Sequence, residues 1–337
     1  MNLQDLTIFT EPPPVQPGLL SRYKTKMLSP YRVYIKGIKN RPQKKYAGHE
    51  AVTRSLLHGL EKIKARYNYN PAKDSEVFEN VIHLSGVNEL SKTLALKKKG
   101  KIKLLLVGPN IVDHVLDHNA IVADPLIDYF VVPSLWVKDL VLKDCPALVN
   151  RILVWAAGVD TLYWNPHKNK YDSSKVLVYQ KTETADFTKK VLTLVSSMGF
   201  RPVLIEYGRY SEKDFRKELS DAFFSVFISR SESQGIALAE AWSMNVPTLV
   251  FNPGNFIYMG KQENGVSACP YLTEQAGADW KTMDELKKCI EYLVQHRATY
   301  KPRKYVLENF SDERSAIHLL SQIEVIKKSS NVFSRQN

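Results

Sequence analysis

The chain has 337 residues, which is too long for one small domain and suits two domains of roughly 150–170 residues. Hydrophobic residues make up 44% of the sequence and charged residues 24%, a composition that excludes a largely disordered chain. No run approaches about 18 consecutive apolar residues, which excludes an apolar transmembrane helix. The net charge is +12, and all of this excess lies in residues 1–104, which hold 20 Lys and Arg against 8 Asp and Glu.

This concentration of positive charge favours an anionic partner such as a phospholipid surface, an anionic saccharide or nucleic acid. A solvated basic surface with no partner explains the same charge equally well. The N-terminus lacks a basic start followed by an apolar segment, so we expect no signal peptide. Cys145, Cys269 and Cys289 are widely spaced, so we expect reduced thiols and a cytoplasmic protein. Peripheral binding to the cytoplasmic face of a membrane is compatible with the basic first third.

Apolar strands and helices alternate along the chain after a proline-rich start. Residues 1–30 are predicted as an extended arm because proline removes backbone donors. The predicted strands are 31–37, 77–84, 101–108, 128–134, 151–158, 174–181, 201–208, 222–229 and 246–251. The predicted helices are 49–66, 135–142, 184–197, 211–219, 235–244, 281–299 and 311–326. Continuous apolar strands between helices predict parallel sheets that are covered on both faces.

Two such series predict an α/β protein of two doubly wound, Rossmann-like domains that face a cleft. We place the domains at 1–166 and 167–310, followed by a closing helix and tail at 311–337, because a polar segment with Pro166 follows the first series. Ligands of doubly wound sheets bind beyond the carboxyl ends of the strands. The natural ligand site is therefore the cleft between the two domains.

The segment FISRSESQGIALAEAWSMNVPTLVF at 227–251 carries the most specific motif. Glu232 lies in the loop before a predicted helix, Gly235 stands where that helix begins, and Glu240 lies five residues further on. Three backbone N–H groups without an intrahelical acceptor open the helix, those of Gly235, Ile236 and Ala237. With the helix dipole, they suit a diphosphate, while the two carboxylates suit hydroxyl groups on either side of it. A capping role for Glu232 and a surface position for Glu240 form the alternative interpretation.

With these residues, the sequence resembles the retaining glycosyltransferases of the GT-B fold, especially glycosyltransferase family 4. The pattern Ser-x-x-Glu-x-x-Gly-helix-Glu-Ala of that family is matched by Ser229, Glu232, Gly235, Glu240 and Ala241, and Pro247 matches the proline that starts the next strand. A second segment, AAGVDTLYWNP at 156–166, is similar to the Asn-Gly-Val-Asp segment that precedes the interdomain hinge of the family. A weaker similarity is IDYFVVPSLWVKD at 127–139.

The sequence departs from the family in its basic residues. The family has Gly-Arg after the first strand of the second domain and a Lys-Gly a few residues later, whereas Gln180 and Lys181 stand at the first pair. Lys189 and Lys190 are the candidates for the second lysine, although their spacing differs. The first domain also lacks a clear Gly-Gly loop, for which Gly48 is the candidate.

The resemblance implies that the chain moves a sugar from a nucleotide-sugar donor to an acceptor hydroxyl, with retention of configuration and without a metal ion. Lys181 and the helix that starts at Gly235 would stabilise the departing diphosphate. Glu232 would bind the transferred sugar, which makes Lys181 and Glu232 the candidate catalytic residues, and Glu240 would bind the ribose. The other candidate donor contacts are Ser231, Gln234, Ile236, Ala237 and Arg209. The acceptor-side candidates are Gly48, Gly86 and Asn110.

We expect no metal and no cofactor, since the nucleotide sugar is a substrate. The expected partners are that donor, a glycan, glycolipid or glycoprotein acceptor, and optionally an anionic membrane surface. The aromatic stretch YNYN at 67–70 has basic neighbours, but no nucleic-acid module surrounds it, so we expect no nucleic-acid partner. His114 and His118 have metal-ligand spacing without a third ligand, which favours a solvated loop. A non-catalytic GT-B-like binding protein and a sugar-nucleotide epimerase are the alternatives.

Overall fold

The computed structural model describes residues 5–10, 29, 31, 32, 35, 48–166, 171–258 and 260–333. The chain forms two compact units, the first of Met1–Gly158 with Asp312–Asn337 and the second of Val159–Ser311. The first unit thus ends before residue 166, where we placed the domain boundary, and includes the segment that follows residue 311. Within the described ranges, no helix is long and apolar enough to cross a membrane.

The strands and helices are numbered here in chain order. The strands are β1 (Leu6–Phe9), β2 (Tyr67–Tyr69), β3 (Asn80–Ser85), β4 (Leu104–Asn110), β5 (Tyr129–Val132), β6 (Ile152–Val154), β7 (Asp172–Gln180), β8 (Arg201–Glu206), β9 (Ala222–Ile228), β10 (Thr248–Phe251), β11 (Asn255–Tyr258), β12 (Lys261–Asn264) and β13 (Gly277–Trp280). The helices are α1 (Gly48–Lys62), α2 (Val87–Lys98), α3 (Leu135–Asp144), α4 (Ala185–Ser197), α5 (Glu212–Leu219), α6 (Ile236–Ser243), α7 (Met283–His296), α8 (Pro302–Asn309) and α9 (Asp312–Phe333).

The first unit is built on a six-stranded parallel sheet in the order β2-β1-β3-β4-β5-β6. The chain leaves β1 toward β2 on one side and continues from β3 to β6 on the other. This reversal puts the topological switch point, where ligands of such sheets bind, between β1 and β3. Valine and leucine side chains of β3 and β4 belong to the core, together with apolar residues of α2 and α3.

The central strand β1 was not predicted, since its residues were assigned to the extended arm. Leu6 and Ile8 are fully buried, and Thr7 pairs with Asn68 of β2 and Val81 of β3. Four residues before a proline-rich segment show too short a pattern to predict a strand, and only pairing with distant parts of the chain stabilises it.

The strand predicted over 31–37 is wrong in its described residues. Tyr31, Arg32 and Ile35 are helical. The aromatic ring of Tyr31 stacks on His58 of α1 with a centroid distance of 4.7 Å. Tyr31 and Ile35 are four residues apart, a spacing that also suits one face of a helix, so their apolar character did not distinguish a helix from a strand.

The C-terminal helix α9 packs on α1 and belongs to the first unit. A Cβ atom on Gly59 would lie 2.1 Å from the backbone oxygen of Asp312, so only glycine permits this approach of the two helices. The indole nitrogen of Trp155 donates to the backbone oxygen of Ser315 at 3.0 Å, which joins α9 to the end of the sheet. The carboxylate of Asp312 also lies 2.7 Å from Nδ1 of His58.

The second unit has a five-stranded parallel sheet in the order β13-β10-β9-β7-β8 and a separate antiparallel hairpin of β11 and β12. Its switch point lies between β7 and β9, because the chain goes from β7 to β8 on one side and from β9 to β10 on the other. The strands predicted at 174–181, 201–208, 222–229 and 246–251 are all present, with slightly different ends. The strand β13 and the hairpin were not predicted.

Candidate functional site

Lys181 and Glu232 meet at the switch point of the second unit. Lys181 follows β7, and its backbone N–H donates to the oxygen of Ile228 at the end of β9, at 3.0 Å. Its Nζ lies 2.8 Å from Oε2 of Glu232, and the two side chains keep 26% and 15% of their surface exposed. The backbone of Glu232 is fixed by a hydrogen bond from its N–H to the oxygen of Ser267 at 2.9 Å. Two residues predicted for catalysis thus form one half-buried ion pair where doubly wound sheets bind ligands.

The loop after Glu232 leads into the open N-terminus of α6. Gly235 occupies the N-cap position with φ of 81° and ψ of 51°, a left-handed conformation that favours glycine. No side chain caps this helix, and the first internal hydrogen bond runs from Leu238 N–H to Gly235 O at 3.0 Å. The N–H groups of Ile236 and Ala237 therefore precede the helical ladder and, with the helix dipole, suit an anion.

The loop also contains Ser231 and Gln234, two other predicted donor contacts, which differ in exposure. Ser231 accepts a hydrogen bond on its backbone oxygen from the buried hydroxyl of Ser229, at 3.0 Å, which fixes the turn after β9. Gln234 is 8% exposed and lies just before the helix start. Both residues therefore belong to the segment that holds Glu232 and Gly235 in place.

Glu240 is 2% exposed on α6, and its negative charge acts on two tyrosines. The hydroxyl groups of Tyr179 on β7 and Tyr210, after β8, are 3.3 Å apart. Burial raises the pKa of both phenols, and the negative charges of Glu232 and Glu240 raise them further. Both tyrosines are therefore neutral hydroxyl groups beside the two carboxylates.

The segment 156–166 supports α6 from its far end. The backbone oxygen of the fully buried Trp164 accepts from the hydroxyl of Ser243 at 2.6 Å and from Nη1 of Arg303 at 3.0 Å. The carboxylate of Asp160 accepts from the N–H groups of Leu162 and Tyr163 at 3.0 and 3.1 Å, which closes the preceding turn. The two segments that resemble the family therefore contact each other at α6: segment 227–251 contains this helix, and segment 156–166 binds its C-terminal end at Ser243.

Other basic residues of this sheet edge also have carboxylate partners. Arg209 is exposed and lies 3.1 Å from the carboxylate of Glu206. Arg230 forms an ion pair with Glu183, whose side chain is 6% exposed. Lys189 and Lys190 lie on an exposed stripe of α4, where they line a surface groove of about 550 Å³.

Sequence analysis did not identify Tyr179, Tyr207 or Tyr210 as residues of this region. Tyr207 follows β8, is 50% exposed, and its ring centroid lies 4.9 Å from Nζ of Lys181. The signal in the sequence was an aromatic residue directly after a strand, since doubly wound sheets bind ligands at the carboxyl ends of their strands.

In the first unit, Gly86 lies beside the switch point. It follows β3 and forms the N-cap of α2 with φ of 93°, without a side-chain cap. Its backbone oxygen lies 2.9 Å from Nε2 of His83, and Nδ1 of His83 lies 2.9 Å from the hydroxyl of Thr93. Burial lowers the pKa of His83 to about 4, so the ring is neutral, donates from Nε2 to Gly86 and accepts at Nδ1.

Asn110 ends β4, the neighbour of β3, and pairs in register with Ser85. Its amide nitrogen is buried and, among the described residues, has no hydrogen-bond partner. The structure thus brings Gly86 and Asn110 to adjacent strand ends. Gly48, in contrast, is the exposed first residue of α1, and a Cβ there would meet no atom within 4 Å.

The remaining features from sequence analysis have structural roles. His114 lies 3.0 Å from the carboxylate of Asp144, and His118 has a left-handed backbone with φ of 51°. The YNYN stretch forms the edge strand β2, where the hydroxyl of Tyr69 bonds to that of Thr10 at 2.7 Å.

The basic first third is only partly available to a partner. Lys97 is 14% exposed and lies 2.6 Å from Asp128, whereas Lys98 and Lys99 are exposed. Lys44 and Lys45, the other predicted basic cluster, lie outside the described residues.

Comparisons with known proteins support the fold. No protein-family model matches the sequence, and no curated protein matches it significantly. Among solved structures, the glycosyltransferase AviGT4 of avilamycin A biosynthesis is 9% identical with a TM-score of 0.55, over 96% of this chain and 97% of that one. The catalytic domain of starch synthase IV from Arabidopsis thaliana, bound to ADP and acarbose, is 11% identical with a TM-score of 0.52, over 86% and 79%. Sucrose-phosphate synthase from Thermosynechococcus elongatus is 11% identical with a TM-score of 0.51, over 97% and 100%. Two parallel α/β units with these neighbours show that the chain has the GT-B fold.

Proposed function

We propose that the chain is a glycosyltransferase that moves a sugar from a nucleotide-sugar donor to an acceptor hydroxyl. The Lys181–Glu232 pair directly before the open N-terminus of α6, at the switch point of the second sheet, carries this proposal. The structural neighbours are glycosyltransferases, and one of them was solved with ADP, which agrees with a nucleotide-linked donor.

In this proposal, the diphosphate lies at the N-terminus of α6, where the N–H groups of Ile236 and Ala237 and the ammonium group of Lys181 face negative charge. Fixed positive charge at the leaving group stabilises the transition state more than the ground state, because charge develops on the departing diphosphate. Glu232 accepts hydrogen bonds from the transferred sugar and Glu240 from the ribose. The first unit binds the acceptor through the strand ends that carry Gly86 and Asn110.

We further propose that the reaction retains the anomeric configuration and needs no metal, as the resemblance to family 4 implies. The sugar is a hexose or pentose, and the acceptor is a glycan, glycolipid or glycoprotein. Turnover should persist in excess EDTA, and NMR of the product should show the anomeric configuration of the donor. Loss of turnover on chelation, restored by Mg²⁺ or Mn²⁺, would contradict metal independence.

The test begins with a thermal-shift screen of nucleoside diphosphates and nucleotide sugars. A ligand at about 100 times its dissociation constant should stabilise the protein by about 2.7 kcal/mol. Lys181→Met should lower the affinity for the nucleoside diphosphate by roughly 10- to 100-fold, since a hydrogen bond to a charged group contributes about 1.5–3 kcal/mol. Lys213→Met, an exposed lysine of α5, is the matched control. If no nucleotide binds, or if both variants bind equally well, the donor site is wrong.

A non-catalytic binding protein is the second candidate, because Gln180 and Lys181 stand where the family has Gly-Arg, and the two lysines of α4 lie on an exposed stripe. Tight binding of a nucleotide sugar without hydrolysis or transfer to any acceptor would favour this alternative.

A further inference from the structure

Tyr207 is placed at the edge of the proposed donor site by the sheet itself. Its backbone N–H donates to the oxygen of Gln180, the last residue of β7, at 2.8 Å. The next residue of that strand end is Lys181, and its Nζ lies 4.9 Å from the centroid of the Tyr207 ring. The backbone hydrogen bond and the cation–π contact together hold the ring against the ammonium group.

The ring is half exposed although it is held. Its exposed fraction is 50%, whereas Tyr179 in the same group of tyrosines is 2% exposed. An aromatic side chain that is fixed on one side and open on the other loses little conformational freedom when a flat ligand group stacks on it.

The surroundings of Glu240 indicate the direction in which a bound nucleotide extends. The negative charge of Glu240 contributes to the raised pKa of Tyr179, on β7, and of Tyr210, after β8. The hydroxyl groups of these two tyrosines are 3.3 Å apart, and we expect a ribose bound by Glu240 to lie near them. Tyr207 stands three residues before Tyr210, and its half-exposed ring offers an aromatic surface there to the group attached to that ribose.

We propose that the ring of Tyr207 is the platform on which the nucleobase of the donor stacks. This inference rests on the proposed function, because it takes the nucleotide sugar as the ligand. Stacking accepts purines and pyrimidines alike, since every base presents a π-face. Tyr207 is thus a positioning residue for the nucleotide, and base identity would be read by other groups.

The experiment measures binding by isothermal titration calorimetry, with the nucleoside diphosphate that the wild-type protein binds and with inorganic diphosphate as probes. Tyr207→Ala should lower the affinity for the nucleoside diphosphate by roughly 5- to 150-fold and leave the affinity for inorganic diphosphate unchanged. Tyr207→Phe keeps the ring and should restore the wild-type affinity. Tyr292→Ala is the matched control, since Tyr292 is 58% exposed on α7.

The outcomes separate this inference from the proposed function. If the wild-type protein binds no nucleoside diphosphate, the proposed function fails and the inference fails with it. If the wild-type protein binds one and Tyr207→Ala binds it equally well, only the stacking inference is overturned. Equal weakening of both probes would also overturn it, because Tyr207 would then act through Lys181 and not through the base.

Discussion

The buried histidine of the first unit should make that unit sensitive to acid. The pKa of His83 is lowered from 6.5 to about 4 by burial, so the unfolded chain binds more protons than the folded one between these values. Stability from His83 is therefore fully present above pH 6.5 and is lost as the pH falls through 4. The difference between these two pKa values corresponds to about 3 kcal/mol of the free energy of unfolding, at about 1.4 kcal/mol per pKa unit.

Hydrogen–deuterium exchange of peptides from β3 and α2 measures this loss in the first unit alone. His83→Gln retains an amide donor for Gly86 O but cannot titrate, so its protection should fall less between about pH 7 and pH 4. Thr93→Val removes the hydroxyl that bonds to Nδ1 and keeps the imidazole, so it should lose stability at every pH while the acid sensitivity remains. The same pH dependence in the wild-type protein and His83→Gln would refute the reasoning.

Three further predictions concern the donor site, the packing and the basic surface. Glu240→Gln should keep the fold by circular dichroism and weaken nucleoside diphosphates by about 1.5–3 kcal/mol in calorimetry; unchanged affinity would remove Glu240 from the site. Gly277→Ala should lower the free energy of unfolding in urea by about 3 kcal/mol, because the new Cβ would lie 1.8 Å from a backbone oxygen of β10. Gly48→Ala is the control and should leave the free energy of unfolding almost unchanged, because its Cβ would meet no atom within 4 Å. If the basic first third binds membranes, the double variant Lys98→Glu/Lys99→Glu should bind anionic vesicles more weakly at low salt, by about 1 kcal/mol of binding free energy per contacting lysine in a co-sedimentation assay. Equal partitioning of the wild-type protein to anionic and neutral vesicles would leave only a solvated surface.

Sequence patterns predicted the strands β7 to β10 and the helices α4 to α7 of the second unit because each of these elements carries its own local signal. Thr184 is the N-cap of α4, and its hydroxyl accepts from the N–H of Phe187 at 3.3 Å, while Ser211 caps α5 in a capping box. The strands β7 and β9 are continuous apolar runs, as expected for parallel strands covered on both faces. Boundaries were therefore off by only a few residues.

The first unit was harder because its central strand is defined by distant partners. Thr7 of β1 pairs with residues about 60 and 70 positions later in the chain, and no local pattern reports such pairing. The edge strand β2 has three residues, and its aromatic side chains suggested a stacking surface instead. The hydroxyl contact between Tyr69 and Thr10 exists only once β1 and β2 are paired.

At the proposed donor site, the sequence identified the charged residues but not their environment. Glu232 and Gly235 stand in a motif with fixed spacing, so their place beside the start of one helix could be predicted from the chain alone. The tyrosines Tyr179, Tyr207 and Tyr210 come together because β7 and β8 are neighbours in the sheet, which spacing along the chain does not encode. Sequence analysis therefore identified the charged residues proposed to contact the diphosphate and missed the tyrosines beside them.

The ion pair at the switch point gives the proposed reaction a further property. Lys181 is bound to Glu232 at 2.8 Å, so a diphosphate that binds the ammonium group competes with that carboxylate for it. A carboxylate that is 15% exposed and shares its lysine with a diphosphate gains from hydroxyl donors, and a sugar supplies them. This competition therefore couples the two halves of the donor: the diphosphate shares Lys181 with Glu232, and the sugar satisfies the carboxylate. A nucleotide sugar should for this reason bind more tightly than the separate affinities of its nucleoside diphosphate and its free sugar predict, and Glu232→Gln should remove most of that difference.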